Sequence, residues 1–188
     1  MKNYEVDENK ISVVYNGYEK FGQKSKVKSQ NLNSKVKSEN PYILFVGTIQ
    51  PRKNMAVLID AFDKFSNTNT DFKLVIVGKK GWLYESIFEK VKLMKLNDKV
   101  IFTGHVTDEE LIYYYKNAFC LTLPSLYEGF GIPVLEAMGY DCPTIISMTS
   151  SLPEIGGEAS LYFDPKNSDD LLEKLNSLKE NKELRKHL

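Results

Sequence analysis

Cysteine is scarce in this chain: Cys120 and Cys142 are the only two among 188 residues. They form no CxxC pair, which excludes a disulfide framework or a cysteine-rich zinc site and leaves two reduced thiols as apolar filler. Charge of one sign is not in excess either, since Lys plus Arg and Asp plus Glu both number 25. Without a global field, a polynucleotide partner is not expected, and any anion must be captured by local geometry. No apolar run approaches the roughly 20 residues that span a bilayer. The opening Met1-Lys2-Asn3-Tyr4-Glu5 lacks the apolar core of a signal peptide, so a cytoplasmic compartment is the expectation.

What is present is a 42% hydrophobic, 27% charged composition, enough for one buried core with short appendages. Ile11-Ser12-Val13-Val14-Tyr15 reads as a short strand ending at Asn16-Gly17, a dipeptide suited to a turn. From Glu19 to Asn40 the chain is mostly Lys, Ser, Asn and Gln. Its four apolar residues, Phe21, Val27, Leu32 and Val36, cannot repay the entropy of ordering it, so it reads as a linker. The chain therefore divides into an appendage over 1–40 and a folded domain over 41–188.

Within that domain, apolar runs alternate with helical spacing. Ile43-Leu44-Phe45-Val46 precedes Met55, Leu58, Ile59 and Phe62, and Leu74-Val75-Ile76-Val77 precedes Tyr84, Ile87, Phe88 and Val91. Val100-Ile101-Phe102 precedes Thr107-Asp108-Glu109-Glu110, a capping box. Phe119 to Leu123, Thr144 to Ile146 and Leu161 to Phe163 supply three further strands, each followed by a helix or turn. Strands that are apolar throughout, joined by helices, imply right-handed crossovers and a Rossmann-like, doubly wound parallel α/β sheet of about six strands. Ligands of such sheets sit beyond the carboxyl ends of the strands, so the loops there are the place to look for function. The aromatic run Tyr113-Tyr114-Tyr115 falls on a helix and reads as packing.

Two of those loops carry chemistry. After the first strand, Gly47-Thr48-Ile49-Gln50-Pro51-Arg52-Lys53-Asn54 sets a guanidinium and an ammonium side by side where a helix begins, an arrangement suited to phosphate. After the fourth, Pro124-Ser125-Leu126-Tyr127-Glu128-Gly129-Phe130-Gly131-Ile132-Pro133-Val134-Leu135-Glu136 opens with glycines that let backbone approach a ligand closely and continues with a proline placed as the first helical residue. The amides of residues 129–132 could cradle a pyrophosphate, with Glu128 and Glu136 on either side. Because phosphate repels carboxylates, both acids are expected to accept hydrogen bonds from neutral hydroxyls of a ribose and a sugar ring.

Glu128-x7-Glu136 in this setting resembles the signature of the group 1 (family four) retaining glycosyltransferases, which have the GT-B fold of two Rossmann-like halves. Val14-Tyr15-Asn16-Gly17, Phe45-Val46-Gly47, Pro51-Arg52-Lys53-Asn54, Thr103-Gly104-His105-Val106 and Ser151-Leu152-Pro153-Glu154 follow the family's order, so the resemblance covers nearly the whole chain. It implies the C-terminal, donor-binding half of an enzyme that transfers a hexose from a UDP- or GDP-linked sugar to a glycan or lipid-linked acceptor. By that resemblance Lys53 contacts the donor's phosphates, Glu128 faces the transferred sugar and Glu136 holds the ribose hydroxyls. Phe130, Gly131 and Ile132 offer amides to sugar and pyrophosphate, His105 and Val106 lie where the base is held, and Gly47 belongs to the phosphate loop. Many relatives carry an Arg directly after that glycine; here Thr48 takes its place and Arg52 supplies the guanidinium. Asp141 stands where a glycine is usual.

The same resemblance implies no cofactor and no metal, in keeping with the absence of an Asp-x-Asp motif. Residues 1 to 17 would be the end of an N-terminal half that carries the acceptor site, and any membrane association would come through that half. Two other readings stay open on the residues alone: a nucleotide-sugar-binding module without transferase activity, and a sugar epimerase of the same two-domain architecture.

Overall fold

The computed structural model describes residues 12–17 and 40–188. The linker read between Glu19 and Asn40 lies outside the described residues apart from Asn40. Six strands, β1 (Tyr42–Val46), β2 (Lys73–Val77), β3 (Val100–Gly104), β4 (Cys120–Leu123), β5 (Thr144–Ser147) and β6 (Leu161–Phe163), form one parallel sheet in the order β3-β2-β1-β4-β5-β6. The connecting helices are α1 (Met55–Thr68), α2 (Glu85–Leu93), α3 (Asp108–Asn117), α4 (Ile132–Gly139) and α5 (Leu152–Gly156), and α6 (Ser168–Glu180) and α7 (Lys182–His187) close the chain. This is the doubly wound sheet expected from the alternation of apolar runs. Its order reverses between β1 and β4, and ligands of such sheets bind outside the carboxyl ends of the strands at that switch point.

The sheet is buried on both faces because the two-residue period of β1 feeds two cores. Ile43 and Phe45 pack with Leu58, Ile59 and Phe62 of α1 and with Leu171, Leu175 and Leu178 of α6. Tyr42 and Leu44 pack on the other side with Ile112, Tyr114 and Tyr115 of α3. The three-tyrosine run is thus largely core. Cys120 and Cys142 are buried, free thiols, and burial pushes the Cys142 thiol up to about 12. Thr107 caps α3 by the reciprocal bonds read from the sequence, its hydroxyl accepting from the Glu110 amide at 3.2 Å while the Glu110 carboxylate accepts from the Thr107 amide at 2.9 Å.

Three local expectations change. Ser12–Gly17 has no regular structure and Val13 and Val14 are exposed: β pairing needs a neighbouring edge, and no described strand runs alongside this segment. Helix α4 begins one residue earlier than expected, so Pro133 is its second residue, where a missing N–H is equally harmless. The turn near Pro153 is a short helix, α5.

The carboxyl edge is fixed by two glycines. The Gly47 amide donates to the Val77 carbonyl and the Gly78 amide to the Gly104 carbonyl, both at 2.9 Å, which carries the pairing of β1, β2 and β3 into their exit loops. Beyond them Ile49 and Lys80 form a parallel bridge, and the Trp82 indole N–H donates to Gln50 at 3.1 Å. A Cβ on Gly78 would stand 2.0 Å from the Gly47 carbonyl oxygen, and its φ of +148° disfavours any L side chain. Gly78→Ala is expected to destabilise the domain by about 3 kcal/mol, from overpacking plus backbone strain. A thermal melt should show this as a midpoint roughly 10 °C lower.

Candidate functional site

The loop leaving β1 is built to aim two cations across the crevice. Pro51, with its φ preset, opens a single 3-10 turn, Pro51–Lys53, that ends at Asn54 in the left-handed conformation (φ 53°) before α1 starts. The Asn54 amide group donates to the Pro124 carbonyl at 3.0 Å and the Pro165 carbonyl at 2.7 Å, tying the turn to the loops after β4 and β6. The Leu126 amide donates to the Arg52 carbonyl at 2.9 Å. Arg52 and Lys53 are thereby presented to the loop that follows β4.

Glu128 receives them. Lys53 Nζ lies 2.5 Å and Ser125 Oγ 2.6 Å from Glu128 Oε1, and Arg52 Nη1 donates to Oε2 at 2.9 Å and to the Tyr127 carbonyl at 2.5 Å. Lys53 and Glu128 are only 7% and 8% exposed, whereas the Arg52 side chain keeps 38% of its surface open. Burial by itself raises the Glu128 pKa. The hydrogen bonds from Lys53 and Ser125, the Lys53 charge and the Arg52 hydrogen bond outweigh it and hold the carboxyl below its ordinary value. Gly47 lies beside the lysine at φ 149°, a backbone setting that L side chains rarely adopt. Two cations against one carboxylate leave the cluster with surplus positive charge at the sheet's switch point, which suits an anionic ligand.

A set of serines fixes the backbone of this loop. Ser150 Oγ accepts from the Glu128 amide at 3.0 Å and donates to the Glu128 carbonyl at 2.5 Å. Ser150 itself stands at φ 58°, a strained setting for a serine. Ser151 Oγ lies 3.1 Å from the Glu128 carbonyl oxygen and 2.9 Å from that of Phe130, and Ser147 Oγ donates to the Ser125 carbonyl at 2.5 Å. Gly131, at φ 107°, turns the chain into α4, and a Cβ there would come within 2.9 Å of Leu152. Gly129 faces open space. From the N-terminal segment, the Tyr15 ring stands 6.4 Å from the Phe130 ring, and its phenol donates to Glu154 on α5.

Of the residues singled out in the sequence, Gly47, Arg52, Lys53 and Glu128 meet in one cluster, with Phe130, Gly131 and Ile132 on the continuation of the same loop. Glu136 is engaged elsewhere: its Oε2 accepts from the Tyr115 hydroxyl at 2.7 Å, across the α3–α4 contact. His105 is exposed and Val106 buried just beyond β3. Two of the three side-chain donors to Glu128 are cations, because a carboxylate buried this deeply next to the Pro51–Lys53 turn needs charge compensation. Ser125, Ser147 and Ser150 had no assigned role. The offset of Ser125, three residues before Glu128, was visible, but serines recruited from beyond β5 leave no local pattern.

A cleft of about 600 Å³ opens on the other side of the same turn, between Gln50, Pro51 and Met55 and the start of α2 at Glu85 and Ile87. Neither Lys53 nor Glu128 lines it. Among the described residues, no group of three or more His, Cys, Asp or Glu is arranged to hold a metal ion. No helix among them is long and apolar enough to cross a membrane.

Residues 27–188 match the family model described as glycosyl transferases group 1. The chain is 37% identical over 129 residues to the O-antigen chain mannosyltransferase B of Escherichia coli, covering 68% of this chain and 34% of that protein. Its fold is similar to a sucrose-phosphate synthase from Thermosynechococcus elongatus, with a TM-score of 0.72 at 27% identity over 79% of this chain and 38% of that one. It is also similar to the C-terminal domain of a group 1 family glycosyl transferase from Francisella tularensis, with a TM-score of 0.70 at 28% identity, covering 78% of this chain and 79% of that one. The chain thus spans about a third of the curated mannosyltransferase's length.

Removing one side of the buried pair is expected to cost more than removing both. Lys53→Met should destabilise the chain by about 3 kcal/mol, and Lys53→Met combined with Glu128→Gln by less than Lys53→Met alone, measured as a denaturant double-mutant cycle. The Glu128 carboxyl has a lowered folded-state pKa, so the stability it contributes is complete above the unfolded value of about 4.3 and is lost as pH falls through the folded value. The stability gap between wild type and Glu128→Gln should therefore narrow on acidification below about pH 5, as read from melting midpoints across pH.

Proposed function

The chain belongs to the group 1 glycosyl transferases, and from that premise we propose that it is the donor-binding half of a retaining hexosyltransferase, acting on a nucleoside diphosphate sugar. The observation that carries this reading is the convergence of Arg52 and Lys53, from the loop after β1, on the loop bearing Glu128 after β4. Mannose is the favoured hexose, since the curated relative quoted above is a mannosyltransferase. UDP and GDP remain the two arms of the test.

In this reading the diphosphate lies over the amides of residues 129–132 and draws on Arg52 and Lys53, which together stabilise negative charge as the diphosphate leaves. Glu128 faces the hexose and accepts a hydrogen bond from a ring hydroxyl, while Glu136, steadied by Tyr115, accepts from the ribose hydroxyls. His105 and Val106 flank the base through the loop after β3. The acceptor is held by a second, N-terminal half, and attack comes from the face the leaving group vacates, with the phosphate helping to remove the acceptor's proton. Bonds within this site gain strength as the two halves close and exclude water.

A melt of the chain with GDP, UDP, GDP-mannose and UDP-glucose tests donor binding. A ligand at 100 times its Kd adds about 2.7 kcal/mol, roughly 5–10 °C for a chain of this size. Lys53→Ala should weaken the bound nucleotide roughly tenfold to a hundredfold, the loss of one charge-assisted hydrogen bond. In the two-domain enzyme, Glu128→Gln should lower kcat far more than donor affinity. No shift with any of the four ligands would remove the donor-site reading.

A further inference from the structure

Glu128 has three side-chain partners, and they differ in what an anionic ligand does to them. Arg52 and Lys53 are cations, and Arg52 is open to solvent at 38%. A diphosphate carries more negative charge than one carboxylate, and Coulomb attraction grows with the charge product, so it competes for both cations. Ser125 is different. Its hydroxyl is neutral and the residue is fully buried, out of reach behind the carboxylate it serves.

Ser125 is also anchored through the backbone on either side. Its carbonyl accepts from Ser147 Oγ at 2.5 Å. The carbonyl before it, of Pro124, accepts from Asn54 at 3.0 Å, and the amide after it, of Leu126, donates to the Arg52 carbonyl at 2.9 Å. Ser150 holds the amide and the carbonyl of Glu128 itself. With both backbone segments pinned, the side-chain torsions of Glu128 stay free, and among the described residues the Ser125 hydroxyl is the one donor that restrains them without bearing charge.

We propose that Ser125 is a positioning residue, a neutral anchor that keeps the Glu128 carboxylate ionised and in place when a diphosphate draws Arg52 and Lys53 away. The proposal rests on the donor-site reading above. Without this hydroxyl, a carboxylate only 8% exposed would face the ligand's negative charge with its cations diverted, and it would take up a proton or swing out of the crevice. Lys53 and Arg52 are the charged groups in hydrogen-bond contact with it; Ser125 is its neutral side-chain partner.

The test follows the Glu128 carboxyl by 13C NMR in glutamate-labelled full chain, assigned through Glu128→Gln, across pH, free and saturated with GDP or UDP. In Ser125→Ala the nucleotide-bound titration midpoint should rise by at least about one pH unit, a tenfold gain in proton affinity. The rise in the free chain, where both cations remain, should be smaller, and Ser125→Thr, which keeps the hydroxyl, should restore the wild-type midpoint. Ser125→Cys, which keeps the shape but offers only a weak donor, should behave as Ser125→Ala and serves if the alanine variant does not fold. Midpoints equal to wild type in both the alanine and cysteine variants would overturn the proposal. If neither GDP nor UDP perturbs the wild-type resonance, the donor-site reading fails. In that case the free-chain comparison still decides whether Ser125 holds the carboxylate: an unchanged midpoint there removes the anchor as well.

Discussion

The buried contact between Lys53 and Glu128 joins the two halves of the sheet where its order reverses. β1 and β4 are neighbours, their following helices lie on opposite faces, and the loops that leave them would otherwise part. An ammonium from one loop lies 2.5 Å from a carboxylate on the other and joins them. The contact is sustained because each charge is compensated as it is buried, with Arg52 and Ser125 completing the carboxylate's hydrogen bonds.

Around this contact the surrounding bonds are mostly neutral and local to the loops. Asn54 ties the β1 loop to the loops after β4 and β6, Ser147 and Ser150 reach from β5 and beyond, and Gly47 and Gly78 lock the exits of β1 and β2 together. The result is a rigid frame holding a small, positively biased cluster. A frame of this kind suits a ligand whose phosphates need preorganised charge and whose sugar needs a hydrogen-bond acceptor that does not wander.

Much of the architecture was legible because it rests on local periodicity. Apolar runs such as Leu74-Val75-Ile76-Val77 can only be strands buried on both faces, and the capping box at Thr107 announces its helix regardless of context. The site was legible in part. Gly47, Arg52, Lys53 and Glu128 stand in loops that a doubly wound sheet must bring to one edge. The electrostatic state of Glu128 was not: nothing in the order of residues says that a carboxylate 75 positions from a lysine will be buried against it. The segment at Ser12–Gly17 was misread because strand character depends on a neighbouring edge, which sequence alone does not supply.

Sequence by itself settled the six strands of the sheet, most of the helices between them, and which loops bear charge and glycine, since each rests on neighbouring residues and their spacing. Folding settled the partners: Tyr115 for Glu136, Ser125 and two cations for Glu128, Ser150 for the Glu128 backbone. Those pairings join residues far apart in the chain, and they exist only because a parallel sheet with its reversal between β1 and β4 delivers separate loops to the same edge.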